Sequence, residues 1–375
     1  MDSGSNLYQS SNEWMELDFT QSSLQDQELH EDVILQKIVP LNTTQDSGRP
    51  FFREVSYLFH SNDQLIIGDK KLNQVSRFSA DGVFMNQIGS LGRGPGEFIS
   101  LEGLDYDSDK NTIFLYSNSS KRILQYDLSG KFLSEQATNF SASQFKLGPD
   151  HTYFFFDSYS YQEKPQKGLC LFQYDRAMNL VSSSVSLQTT WKHDMTEILA
   201  GFYPSTGSSF LMVKPLCDTI LRITDQQIQS AYVTKWPECG FSNIPQQQLA
   251  GNVMGYLLGS CSLQKPIVEG EDFLIFSYLM DNERQTGIYN KHSKSLHLSK
   301  DYKRTSLARL FFRPIAVVNA NTFVTPIWPN WYQHYLEEDP DLSPYLKQHY
   351  PGLYNILSSS QESAPPILVY FTLSS

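Results

Sequence analysis

Two ten-residue segments of the chain repeat one another at a separation of 48 residues. Val75–Phe84 and Ile123–Phe132 each carry an aromatic residue, a polar turn that contains a glycine, and a second aromatic residue at matching positions. A weaker third copy ends near Tyr174, again 48 residues after Tyr126. A period of roughly 40–50 residues, with several short strands in each unit, is typical of the blades of a β-propeller. The repeat therefore predicts an all-β chain made of four-stranded antiparallel sheets.

Strand and turn patterns extend this period along most of the chain. Asp81-Gly82 and Ser129-Gly130 are strong hairpin signals between the third and fourth strands of their units. The predicted blades cover about 51–90, 101–134, 144–187, 198–233, 266–298 and 310–372. Blades 4 and 5 are placed by strand pattern alone, so five or seven blades remain alternatives to a six-bladed β-propeller.

The two ends of the chain are expected to close the ring. The last blade has one strand too few, whereas Val33–Val39 is a strand of suitable length with no blade of its own. We expect this N-terminal strand to form the outer strand of blade 6, since closure hides edges that promote aggregation. The expected domains are a polar leader and N-terminal extension over 1–32 and a single propeller over 33–375.

One helical insertion is expected within the last blade, at about 331–362. Leucine and aromatic residues recur there at three- and four-residue steps, which gives a helix one apolar face. Ser343-Pro344 suits a helix start, and Pro351-Gly352 is expected to divide the segment into two short helices.

Charge and hydropathy restrict the partners. A net charge of −11 disfavours nucleic acid and anionic membrane surfaces, because both attract clustered Lys and Arg. No apolar segment approaches the roughly 18 residues of a membrane span. The serine-rich first residues suit either a leader left after removal of a targeting segment or an ordinary frayed terminus, and both interpretations stay open. We expect a monomer.

The four cysteines do not suggest a metal site. Cys170, Cys217, Cys239 and Cys261 contain no pair at CxxC spacing, and no histidine lies at zinc-finger spacing. We therefore predict neither a metal nor a cofactor. A disulfide between Cys239 and Cys261 is conceivable in an exported chain, but buried free thiols are the favoured interpretation.

A glycine-rich segment, Ile88–Phe98, connects blade 1 to blade 2. Gly92, Gly94 and Gly96 permit close backbone approach, and Pro95 stiffens the connection. A phosphate-binding loop would need a following helix and a Lys-Ser or Lys-Thr pair. A structural junction that presents Arg93 as a cation is therefore favoured.

The segment Asp105–Asn111 has acidic residues or asparagine at alternate positions, which suggests calcium. An EF-hand loop requires glycine at its sixth position and glutamate at its twelfth, and Lys110 and Tyr116 occupy them. A polar turn between two strands is the favoured interpretation.

The junction Ile88–Phe98 resembles the "GxGPGEF" segment of the six-bladed β-propeller lipoproteins of Bacteroidetes, which are NHL-like propellers. The terminal segment Ala364–Phe371 is similar to the last strand of that family, although Ser363-Ala364-Pro365 replaces its usual acidic and Asn-Pro residues. The resemblance covers nearly the whole chain and implies the same fold. It also implies an exported, periplasmic or outer-membrane-anchored protein of the cell envelope, whose only membrane contact is an N-terminal lipid anchor. It implies no agreed catalytic residues.

Topology directs attention to one face of the propeller. The predicted insertions all connect the second strand to the third, or one blade to the next, and these connections share a face. Met280–Gln285 is expected to be one of these loops. Function tends to lie on loops carried by a rigid scaffold. The candidate ligand-binding residues on this face are Arg93, Tyr159, Tyr161, Arg284, Trp328, Trp331 and Tyr332.

The tryptophan-rich segment Trp328–Tyr332 supplies most of the candidate aromatic surface. Its rings suit stacking on a sugar or contact with a peptide, or they simply pack the helix onto the blades. The leading hypothesis is a non-enzymatic binding or scaffold propeller of the cell envelope that holds a glycan, peptide or protein. The alternative is a metal-dependent lactonase or lyase with its site at the axial channel, which would require converging carboxylates there.

Overall fold

The structure is a computed structural model that describes residues 14–20, 33–42, 51–61, 63–148, 151–157, 169–186, 200–214, 217–224, 227–240, 260–298 and 310–374. Two strands precede the first blade: β1 (Met15–Asp18) and β2 (Val33–Pro40). Blade 1 contains β3 (Tyr57–Ser61), β4 (Gln64–Asp69), β5 (Gln74–Ser79) and β6 (Phe84–Gln87). The short strands β7 (Ser90–Leu91) and β8 (Glu97–Phe98) follow it.

Blades 2 to 4 follow in order along the chain. Blade 2 contains β9 (Gly103–Asp107), β10 (Thr112–Ser117), β11 (Arg122–Asp127) and β12 (Phe132–Ala137). Blade 3 contains β13 (Gln144–Leu147), β14 (Tyr153–Phe156), β15 (Leu169–Tyr174) and β16 (Leu180–Ser186). Blade 4 contains β17 (Gly201–Tyr203), β18 (Phe210–Val213), β19 (Thr219–Ile223) and β20 (Ile228–Lys235).

The last two blades differ in their insertions. Blade 5 contains β21 (Ser262–Glu269), β22 (Phe273–Met280), β23 (Glu283–Asn290) and β24 (Ser295–Leu298). Blade 6 begins with β25 (Ala316–Val318) and β26 (Thr322–Ile327). Three helices follow: α1 (Pro329–Glu338), α2 (Leu342–His349) and α3 (Pro351–Ser359). The strand β27 (Ile367–Leu373) completes the described chain. The predicted six-bladed β-propeller is confirmed.

The repeated residues occupy matching places in blades 1 and 2. Phe78 on β5 and Tyr126 on β11 have no exposed surface. Gly82 and Gly130, in the hairpins that follow, have positive φ angles of 82° and 85°. The sequence repeat therefore reflects one buried aromatic position and one turn that requires a left-handed backbone.

The predicted closure is also confirmed. β2 is the outer strand of blade 6 and pairs antiparallel with β27, from Val33 opposite Leu373 to Pro40 opposite Ile367. The same segment contacts the hairpin of blade 1. Lys37 Nζ donates to Ala80 O at 2.8 Å, and Asn42 N donates to Gly82 O at 2.8 Å. The closing strand thus joins blade 6 to blade 1.

A strand that the sequence analysis did not predict lies within 1–32. β1 pairs in parallel with β20, from Met15 opposite Tyr232 to Asp18 opposite Lys235. Blade 4 is thereby a five-stranded sheet, and the other blades each have four strands in the part of the chain that the structure describes.

Two expectations for blade 5 and its surroundings were wrong. The blade starts at Ser262, not near Pro266, and Met280–Gln285 is not a long loop. β22 and β23 are joined by Asp281 and Asn282 alone, whose φ angles of 55° and 60° suit a tight hairpin.

The favoured interpretation of buried free thiols was wrong for two of the cysteines. Cys239 and Cys261 form a disulfide with a Cα–Cα distance of 5.2 Å. Cys261 N also donates to Cys239 O at 2.7 Å, so the bond closes the base of the connection between blades 4 and 5. Cys170 is free and buried, and burial raises the pKa of its thiol.

Contacts within the chain group into two compact units. One unit contains β1, the glycine-rich junction and blades 2 to 4, and the other contains blades 1 and 6 with β2 and most of blade 5. Within the first unit, Phe154, Phe210 and Met212 belong to one apolar core. In the second, α2 and α3 bury Leu342, Leu346, Leu353 and Leu357 against blade residues.

No helix among the described residues is both long enough and apolar enough to cross a membrane.

Candidate functional site

The helical insertion of blade 6 begins with a tryptophan that directly follows β26. Trp328 precedes α1, and Pro329 occupies the first turn of that helix. Proline is favoured there, because its fixed φ suits the helix and its missing N–H would have no intrahelical partner. The chemistry of proline therefore explains why α1 starts at Pro329, and Trp328 and Trp331 lie on either side of that start. The predicted helix start at Ser343-Pro344 was wrong, since α2 already begins at Leu342.

Trp328, Trp331 and Arg313 form what we call the indole–guanidinium cluster. The two indole rings have centroids 6.1 Å apart and are inclined by 49°. The guanidinium carbon of Arg313 lies 5.5 Å from the centroid of the Trp331 ring, within the range of a cation–π interaction. All three side chains are half-buried, and Asn330 between the tryptophans is exposed.

The indole rings also pack against the propeller. Trp331 contacts the core of blades 5 and 6, and Trp328 contacts the core shared by blades 1 and 6. Their buried parts hold α1 in place, while their remaining surface is open to solvent. The two indole side chains can therefore pack against the propeller and still offer a surface on which a ligand could stack.

Tyr332 is buried in the apolar core and has a structural role. It is 1% exposed and lies among the apolar residues of blades 5 and 6 and the helices. Burial raises the pKa of its hydroxyl, which a hydrogen bond with Ser343 partly offsets. Tyr332 therefore presents no surface to a ligand, in contrast to its two tryptophan neighbours.

The glycine-rich junction presents Arg93 to solvent. Gly94 N donates to Glu97 Oε2 at 2.8 Å, and a Cβ atom at Gly92 would collide with the same carboxylate. Tyr126 Oη donates to Gly96 O at 3.0 Å. The position that a bound phosphate would take is thus filled by the chain's own carboxylate, which supports the interpretation of a structural junction.

The other predicted site residues are Arg284, Tyr159 and Tyr161. Arg284 lies on β23 and is half-buried, so the expectation of a loop arginine was wrong. Tyr159 and Tyr161 fall outside the described residues. That the insertions share one face stays a prediction.

The acidic turn of blade 2 is held by the protein itself. Both carboxylate oxygens of Asp105 lie 3.0 Å from Lys146 Nζ, and Leu147 N donates to Asp105 Oδ2 at 2.7 Å. Asp107 Oδ1 accepts from two backbone amides of its own turn, and Oδ2 lies 3.0 Å from His151 Nδ1. Among the described residues, no three His, Cys, Asp or Glu side chains are grouped so as to hold a metal ion.

Arg313 is the site residue that sequence reasoning missed. It precedes the first strand of blade 6 in a segment with no repeat motif. Its proximity to Trp331 arises only when the insertion folds back onto the blade. No spacing signal in the sequence could have shown this pairing.

No curated protein matches the chain. A crystal structure of a protein classed as exported, from Bacteroides fragilis, has 19% sequence identity and a TM-score of 0.73, covering 97% of this chain and 100% of that chain. A member of the DUF4221 family from Bacteroides vulgatus has 11% identity and a TM-score of 0.52, covering 91% and 97%. These likenesses show the shared fold.

A virginiamycin B lyase from Staphylococcus aureus has 15% identity and a TM-score of 0.44, covering 78% of this chain and 82% of that chain. That likeness is too weak to support an inference about activity. The sequence model of a domain of unknown function (DUF4934) matches residues 18–372. The match spans nearly all of the chain, from β1 to β27. The chain therefore belongs to the DUF4934 family.

Proposed function

We propose that the chain is an exported binding propeller of the cell envelope that holds a glycan on the indole–guanidinium cluster. The observation that carries this proposal is the grouping of two half-buried indole rings with a guanidinium at the start of α1. Half-buried aromatic rings with adjacent polar groups are the usual composition of a small-ligand site.

The chemistry of the cluster suits a sugar. A sugar ring offers an apolar C–H face to an indole, and its hydroxyl groups offer acceptors to a guanidinium. Arg313, whose guanidinium lies near the Trp331 ring, and the exposed Asn330, which directly precedes Trp331 in sequence, supply hydrogen-bonding groups. The packing of each indole against a core restricts its rotation, so little side-chain entropy is lost when a ligand stacks on it.

Two observations support export. The disulfide between Cys239 and Cys261 is of a kind that persists in oxidising compartments. The similar structure from Bacteroides fragilis is of a protein classed as exported. Attachment through an N-terminal lipid would keep such a protein at the envelope without a membrane-spanning segment.

A glycan array and a peptide library, probed with the purified full chain, test the proposal. We expect glycan binding that Trp331→Ala and Trp328→Ala each weaken about tenfold or more, since a stacked aromatic anchor typically contributes more than 1.4 kcal/mol. Trp14→Ala is the matched control, because Trp14 is a 47% exposed tryptophan that directly precedes β1 and is not part of the indole–guanidinium cluster.

The stability of each variant is measured in parallel. Trp331→Ala should lower the free energy of unfolding by about 1–2 kcal/mol, because the ring is only half-buried. Equal loss of binding in all three tryptophan variants, or binding of peptides alone, would contradict the glycan proposal.

A further inference from the structure

β1 lies outside a blade that is already complete. β17 to β20 form the same four-stranded sheet as the other blades, and β1 is added in parallel along the outer edge of β20. The contact comprises four residue pairs, extended by Phe19 N, which donates to Lys235 O at 2.9 Å. Addition of an extended segment to a sheet edge is a common mode of peptide recognition.

The two faces of β1 carry different contacts. Leu17 has no exposed surface, and Phe19 is 3% exposed, so alternate residues on one face are buried. The ring of Phe19 stacks on Trp236 with centroids 4.0 Å apart. The buried face of β1 therefore places one aliphatic and one aromatic side chain, two residues apart as on any extended strand, in an apolar environment.

The other face is held by charge. Asp18 Oδ2 lies 2.8 Å from Lys235 Nζ, and Glu16 Oε1 lies 3.9 Å from the same atom. Burial opposes ionisation of Asp18, but hydrogen bonds from Lys235 and Thr20 outweigh it and lower its pKa to about 2. The carboxylate is therefore ionised at neutral pH and complements the lysine.

We propose that the outer edge of blade 4 is a peptide-binding site, and that residues 14–20 are its tethered occupant. The ligand class is an extended polypeptide segment that presents an aliphatic residue, a carboxylate and an aromatic ring in succession, as Leu17, Asp18 and Phe19 do. A partner protein with such a segment would replace β1 and add its own strand in parallel to β20.

Because β1 belongs to the same chain, it competes strongly with a free peptide for the edge of β20. A segment of the same chain has a high effective concentration at its own edge, so it excludes a free peptide of equal intrinsic affinity. Release of β1 should therefore expose a site that free peptide can fill.

The test uses the full chain with its own strand unseated by Leu17→Asp and Phe19→Asp together. The probe is a fluorescent peptide with the sequence of residues 14–20, and binding is followed by anisotropy. The variant should bind the peptide at least about tenfold more tightly than the unchanged chain, which corresponds to about 1.4 kcal/mol of relieved competition. Hydrogen exchange should show loss of protection at the β1 amides and unchanged protection in β17 to β19.

A charge exchange checks the register. Lys235→Asp, added to the unseated variant, should weaken binding of the peptide about threefold or more, and a peptide with lysine in place of Asp18 should restore it. The proposal is overturned by equal peptide binding in the unchanged and unseated chains, by continued protection of the β1 amides in the unseated variant, or by binding that ignores the charge exchange.

Discussion

The Nε2 atom of His60 lies 2.8 Å from the hydroxyl oxygen of Tyr370. This contact joins β3, the first strand of blade 1, to β27, the third strand of blade 6. The rings also meet edge to face, with centroids 5.5 Å apart. The pair therefore ties the first blade to the blade that the N-terminal strand completes.

The pH dependence of stability should report this pair. Burial, with a smaller contribution from the charge of Lys37, lowers the pKa of His60 to about 4. The unfolded chain binds a proton at His60 near its ordinary pKa of about 6.5, whereas the folded chain does so only near 4. The free energy of unfolding should therefore fall as the pH drops from about 6.5 to about 4, by on the order of 2–3 kcal/mol from this group.

His60→Gln supplies the control for that prediction. The amide can still form a hydrogen bond with Tyr370 but does not titrate. Urea unfolding at several pH values should show a smaller loss of stability in the variant than in the unchanged chain. If the free energy of unfolding depended on pH equally in the variant and the unchanged chain, the acid sensitivity would arise from groups other than His60.

Gly82→Ala should weaken the closure of the ring. Gly82 has a φ of 82°, and an added Cβ would collide with the carbonyl oxygen of Pro40 on β2. Gly207→Ala is a matched control, since Gly207 has a φ of 74° and open space around it. Gly207→Ala should lower the free energy of unfolding by about 1 kcal/mol through backbone strain alone. Gly82→Ala should lower it by at least about 1 kcal/mol more. Equal melting temperatures for the two variants would show that the contact with β2 has no energetic weight.

Reduction of the disulfide should destabilise the chain. Cys239 and Cys261 are 22 residues apart in sequence, and a cross-link over such a loop stabilises the folded state by about 3 kcal/mol. Thermal unfolding with and without reductant measures this difference, and the paired change Cys239→Ser with Cys261→Ser should match the reduced chain. Cys217→Ser, at a free cysteine, should leave the reductant effect intact. A melting temperature that does not respond to reductant would contradict the prediction.

Calcium should have no effect on stability through the acidic turn of blade 2. Asp105 is held by Lys146 and a backbone amide, and Asp107 Oδ1 by two backbone amides, while Asp107 Oδ2 lies 3.0 Å from His151 Nδ1. Adding calcium or a chelator should therefore leave the melting temperature unchanged, whereas Asp105→Asn should lower it in both conditions. A chelator-dependent decrease that Asp105→Asn abolishes would instead support a calcium site.

Much of the fold could be predicted from local sequence. The 48-residue repeat marks a buried aromatic position and a glycine turn, because both recur in blades 1 and 2. Val33–Val39 could be placed in blade 6 because the last blade has one strand too few. The division of the helical segment at Pro351 could be predicted as well, because proline cannot continue a helix but is tolerated in its first turn, and α3 begins at that residue.

Only part of the candidate site could be predicted from local sequence. Trp328 and Trp331 could be named as candidates because aromatic residues cluster in sequence. Arg93 could be named because glycines flank it, and its part in a binding site stays a prediction. Arg284 was misplaced, since the pattern at Asp281-Asn282 was not recognised as a tight hairpin. Arg313 was missed, because its partner lies on a segment that folds back from elsewhere.

The sequence by itself determined features whose causes are local: the blade period, the glycine turns of blades 1 and 2, the helix break at Pro351 and the need for a closing strand. Only the tertiary structure decided which distant groups meet. The parallel pairing of β1 with β20, the bond between Cys239 and Cys261 and the contact of Arg313 with Trp331 all belong to this second kind. Each depends on the packing of segments that are distant in sequence, and local propensity and turn chemistry carry no information on which distant segments meet.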